Sequence, residues 1–88
     1  MVYRDLIVSN EMGLHVRPAS LLVRIAAKYE SSIQLESGGY QINGKSIIQI
    51  LSACLSQGKK IRIVCDGPDE KELLDEITEL FESNFQEN

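Results

Sequence analysis

The chain has 88 residues, 43% of them hydrophobic and 25% charged, with a net charge of −4. That length suits one domain, 1–88, with one core and a shallow surface site, and excludes a large internal active site. No stretch approaches the ~20 apolar residues of a membrane span, and Met1-Val2-Tyr3-Arg4-Asp5 lacks a signal-peptide pattern, so the expected location is the cytoplasm, without membrane insertion.

Val2 to Val8 is β-branched at its end and partly alternating, which predicts a first strand before the Ser9-Asn10-Glu11-Met12-Gly13 loop. Ala19, Leu22, Val23, Ala26 and Tyr29 recur at helical spacing, with His15 at or next to the N-cap and Pro18 in the first turn, where no intrahelical N–H bond is lost. Ile33 to Glu36 and Tyr40 to Ile42 alternate around a Gly38-Gly39 hairpin turn. Ser46 is placed to cap a short helix from Ile47 through Leu51, continuing to Leu55 before Gly58 stops it. Lys59 to Cys65 reads as a fourth strand. Glu70 to Phe85 reads as a third helix, with Leu73, Leu74, Ile77, Leu80, Phe81 and Phe85 on one stripe and acidic residues in its first turn. The order β-α-β-β-α-β-α implies an α+β fold: a four-stranded, mainly antiparallel sheet with three helices on one face and the other face partly open.

Charge is unevenly spread. Nine of the thirteen acidic residues lie in the last 23 positions beside Lys71 alone, while Arg17, Arg24, Lys28 and Lys45 come earlier. No basic patch interleaves with aromatic residues, so direct nucleic-acid binding is not expected. Cys54 and Cys65 form no C-x-x-C pair and, with a single histidine in the chain, no metal cluster; both are expected as small buried hydrophobes. No cofactor is called for.

The run Gly13-Leu14-His15-Val16-Arg17-Pro18-Ala19-Ser20 concentrates the chemistry. A helix start carries unpaired N–H groups and the positive end of the macrodipole, which together form an anion site. Arg17 adds a guanidinium fork that matches phosphate oxygens. Imidazole exchanges protons near neutral pH, and its unprotonated nitrogen is a nucleophile. His15 is therefore the candidate phosphoryl acceptor, with Arg17 and the following amides as the oxyanion clamp.

A rival lies in Gly39-Tyr40-Gln41-Ile42-Asn43-Gly44-Lys45-Ser46, which fits the nucleotide-binding pattern G-x-x-x-x-G-K-S letter for letter. A phosphate loop must curl its N–H groups toward the ligand, whereas Tyr40-Gln41-Ile42 alternates as a strand does. The chain is also short for the usual parallel sheet covered on both faces.

The Gly13–Ser20 run resembles the active-site signature of the HPr family, the histidine-containing phosphocarriers of the bacterial phosphoenolpyruvate:sugar phosphotransferase system. Lys45-Ser46-Ile47-Ile48 resembles that family's second signature, a regulatory serine opening a short helix. The resemblance covers essentially the whole chain. It implies that His15 accepts a phosphoryl group from enzyme I through Nδ1 and passes it to IIA domains of sugar permeases. The protein would then be a substrate of phosphotransferases and not a stand-alone enzyme. It further implies phosphorylation of Ser46 from ATP by HPr kinase/phosphorylase, giving a corepressor of a catabolite control protein, and a docking surface that includes Ser20, Ile47, Ile48 and Leu51. An HPr-like paralogue acting mainly through Ser46 is the alternative, and a nucleotide-binding loop a distant third. Met12, Tyr40, Gln49 and Cys54 depart from the family's pattern.

Overall fold

The computed structural model describes residues 1–86; Glu87 and Asn88, which close the expected 1–88 domain, lie outside the described residues. The elements are β1 (Val2–Ile7), α1 (Val16–Ala26), β2 (Ser32–Ser37), β3 (Tyr40–Asn43), α2 (Ile47–Ser52), β4 (Lys60–Asp66) and α3 (Glu70–Glu82), followed by a 3-10 turn, Asn84–Gln86. The expected order is present. The sheet runs β1-β4-β2-β3, and each pairing is antiparallel.

Strand alternation creates the two faces. Ile61, Ile63 and Cys65 of β4 are buried, and Ile33 and Leu35 of β2 pair with Cys65 and Ile63. Ile42 of β3 pairs with Leu35 and is buried on the same side. Lys60, Arg62 and Gln34, at the intervening positions, face outward and are exposed. Ala19, Leu22 and Ala26 of α1, Ile50 of α2, and Leu73, Ile77 and Phe81 of α3 complete one hydrophobic core with these strands. This is the open-faced arrangement that the pattern predicts.

Several ends differ from expectation. α1 stops at Ala26, not Tyr29: Lys28 N and Tyr29 N donate to Ile25 O and Ala26 O, three residues back, so the ladder tightens and ends, and the Tyr29 hydroxyl donates to Glu76 of α3 at 2.5 Å, which pushes the phenol up to about 12. α2 stops at Ser52, before Leu55, because Cys54 takes a left-handed φ of 51° that no helix continues through. Cys54 is consequently exposed, against the expectation that both cysteines are buried; Cys65 is buried as expected. α3 ends at Glu82, and Asn84, Phe85 and Gln86 then turn with positive φ. Phe85 still joins the core, reached by that reversal and not by the helix stripe, and meets the Phe81 ring edge-on at 4.6 Å.

The nucleotide-loop alternative is overturned. Tyr40–Asn43 is a paired strand, and Lys45 Nζ donates to Tyr29 O at 2.7 Å, so the lysine is anchored on the turn that follows α1. Gln49, one of the departures from the family pattern, accepts through Oε1 from Asn43 N at 2.9 Å.

At the pole where β4 hands over to α3, the Asp69 carboxylate accepts from the backbone N–H groups of Glu30 and Ser31 and from the Ser31 hydroxyl. The Ser31 hydroxyl bond, supported by the two amides, holds the Asp69 carboxyl below its usual range; Lys28, then Tyr29, do the same for Glu76. A carboxyl lowered in the folded state stabilises the fold above its unfolded value of about 4 and loses that contribution as pH falls through the folded value. Urea midpoints are therefore expected to be level from neutral pH down to about 5 and to fall steeply below about 4. Asp69→Asn should be less stable at neutral pH and show a shallower acid decline; an unchanged decline would remove Asp69 from this account.

Candidate functional site

The approach to α1 is built by the loop after β1. Gly13 N donates to Asn10 O at 3.0 Å, and Leu14 N donates to Leu55 O, beyond α2, at 2.8 Å. Gly13 has φ +68°, and a Cβ there would stand 2.4 Å from Leu55 O. Only glycine allows both this turn and this approach. The buried Asn10 also donates through Nδ2 to Asn84 O at 3.3 Å, tying the loop to the C-terminal reversal.

His15 is the N-cap of α1, as the sequence predicts, with φ −78° and ψ −169°. Its carbonyl accepts the first intrahelical bond, from Ala19 N at 3.0 Å, while its side chain makes no cap hydrogen bond. Serine, threonine, aspartate and asparagine normally fill this position because their oxygens satisfy the first-turn amides. The imidazole leaves those amides to another acceptor. Pro18 is the third helical residue and has no N–H, so helix geometry leaves Val16 and Arg17 as the first-turn N–H groups lacking intrahelical carbonyls. Arg17 is exposed, and His15 is half-buried.

His15 shares a shallow depression of about 230 Å³ with Met12, Leu14, Leu51, Cys54 and Leu55. Of the expected docking residues, the structure brings only Leu51 to that depression. Ile48, 72% exposed, instead flanks a separate groove of about 610 Å³ with Tyr40, Ile42 and Gln49. Ile47 and Leu51 pack partly against the core, and Ser20 is half-buried on α1. Ser46 is the N-cap of α2, its hydroxyl accepting from Gln49 N at 3.3 Å, as predicted. Leu14 and Leu55 are contributors that the sequence pattern does not single out; Gly13, two residues before the histidine, is the local hint of the chain approach that joins them.

The site is an open rim and not an enclosed pocket, which suits a group handed between proteins. Among the described residues, no three histidine, cysteine, aspartate or glutamate side chains gather as metal ligands. No helix among them is long and apolar enough to cross a membrane.

Residues 2–83 match the family described as PTS HPr component phosphorylation site. The chain is 39% identical to phosphocarrier protein HPr of Xylella fastidiosa over 88 residues, covering 100% of this chain and 99% of the relative. The crystal structure of HPr-C-His from Thermoanaerobacter tengcongensis superposes with a TM-score of 0.96 at 38% identity, covering 100% of this chain and 99% of that one. The structure of Crh, the Bacillus subtilis catabolite repression containing protein, which forms a dimer with a swapped domain, gives a TM-score of 0.76 at 32% identity, covering 96% and 97%. A histidine at a helix N-cap, an arginine two residues on and a match along nearly the whole sequence agree: the chain belongs to the HPr family of phosphocarrier proteins of the phosphotransferase system.

Proposed function

We propose that this protein is a cytoplasmic one-domain carrier that accepts a phosphoryl group on His15 from enzyme I and delivers it to IIA domains of sugar permeases. The observation that carries the reading is the imidazole at the N-cap of α1, with its side chain withheld from capping and Arg17 following in the first turn. An unprotonated ring nitrogen attacks the phosphorus as the bond to the donor breaks. The three phosphoryl oxygens then face the Val16 and Arg17 amides, the positive end of α1 and the Arg17 guanidinium. Nothing in this scheme activates water, so the group waits for the next protein. Leu51 beside His15, together with Ser20 on α1 and Ile47 and Ile48 on α2, supplies the surface on which partners dock.

Incubation with phosphoenolpyruvate and enzyme I should add one acid-labile phosphoryl group, read by intact mass before and after mild acid. His15→Ala should remove it completely. A phosphoryl group that survives this substitution would sink the carrier reading.

The cap position of Ser46 favours a second, regulatory role. A phosphate there adds about −1.5 to −2 charge where the α2 dipole tolerates it, so the fold is preserved while the field met by partners changes. ATP and HPr kinase/phosphorylase should place an acid-stable phosphate that is absent in Ser46→Ala. No modification of the parent chain would reduce Ser46 to a helix cap.

A further inference from the structure

Met12 and Cys54, two of the departures from the family pattern, converge on the depression that holds His15. The chain contains only two methionines, two cysteines and one histidine, so three of its five soft-donor side chains border one small hollow. Packing explains neither sulfur. Met12 is 76% exposed, an apolar side chain left in water at the rim. Cys54 is exposed and sits at φ 51°, a conformation that glycine or asparagine adopts more readily than a side chain of this kind.

We infer that Met12, Cys54 and His15 form a binding site for a soft monovalent metal ion of the copper(I) or silver(I) type. Thiolate and thioether sulfur select such ions, and imidazole completes a three-donor set that harder, oxygen-seeking cations do not favour. On binding, the Cys54 S–H bond breaks and its proton leaves to solvent, while the sulfur keeps the electron pair and forms the bond to the metal. The Met12 sulfur and a His15 ring nitrogen contribute lone pairs, no electron changes hands, and the thiolate neutralises the cation. Cys65 does not compete, because burial pushes its thiol up to about 11. A metal on the His15 ring occupies the nucleophile, so occupancy would switch phosphoryl acceptance off; that consequence, unlike the site itself, rests on the carrier reading.

The test is titration of the whole unphosphorylated chain with silver nitrate in chloride-free buffer, followed by native mass spectrometry and by NMR of the methionine methyl and histidine ring signals. One silver ion per chain is expected, with the Met12 methyl and the His15 ring moving together. Cys54→Gly, which relieves the left-handed backbone and should fold normally, is expected to lose at least the 10–100-fold in affinity that removal of even an outer partner costs a metal site. Met12→Leu should weaken binding while preserving the fold. Undiminished affinity in either variant, or binding that leaves the His15 ring signals unmoved, would overturn the proposal. Phosphorylation of metal-free aliquots by phosphoenolpyruvate and enzyme I tests the carrier reading separately, so failure of one is distinguishable from failure of the other.

Discussion

Gly13→Ala is expected to cost about 2–4 kcal/mol of stability and to cripple phosphoryl acceptance together, although the substitution adds one methyl group and touches no reacting atom. Two penalties combine. An alanine at φ +68° meets the steric cost of left-handed backbone, and its Cβ would lie 2.4 Å from Leu55 O and 2.8 Å from Ser56 Cα. Relief by backbone movement is blocked because the next residue, Leu14, donates to that same Leu55 carbonyl at 2.8 Å. Pushing the strands of chain apart breaks the bond that places His15 at the start of α1. Urea denaturation measures the first effect, and the initial rate of phosphorylation by enzyme I, taken well below the unfolding midpoint, measures the second. Near-parent values for both would mean that the loop has slack absent from this geometry.

Arg17→Ala should show the opposite pattern. Arg17 is exposed on the first turn of α1 and takes no part in the core, so stability should stay within about 0.5 kcal/mol of the parent. Phosphoryl transfer should nevertheless slow on the order of 10²-fold, the effect of removing one preorganised donor from developing negative charge. Arg17→Lys restores the charge without the planar fork and should recover only part of the rate. Rapid-quench measurement of acid-labile phosphate separates the three proteins. Equal rates for the alanine and parent chains would leave the helix amides as the sole clamp.

Elements whose cause is local were legible from sequence. Alternation at Ile61, Ile63 and Cys65, the Gly38-Gly39 turn, the Ser46 cap and the place of His15 at the start of α1 each depend on neighbours a few positions away. What escaped depends on distant partners. Tyr29 leaves the expected α1 stripe for Glu76 of α3, and Phe85 reaches Phe81 through a positive-φ reversal beyond α3. Cys54 looks like a core residue by type, and only its left-handed backbone carries it outside. The hollow that holds His15 was partly readable, through His15 itself and Leu51. The meeting of Met12 and Cys54 around it required the Leu14–Leu55 bond, which no sequence periodicity encodes.

The Gln49 side chain has a consequence for how this protein behaves in a crowded solution. β3 is the outermost strand on its side of the sheet, and such a strand normally offers its backbone to any extended chain that drifts past. By accepting from Asn43 N, the Gln49 carboxamide occupies one of the few donors that this short strand has to give. An incoming chain must first displace a side chain held in place by its own helix, so sheet growth at β3 is discouraged and self-association through that edge is held down.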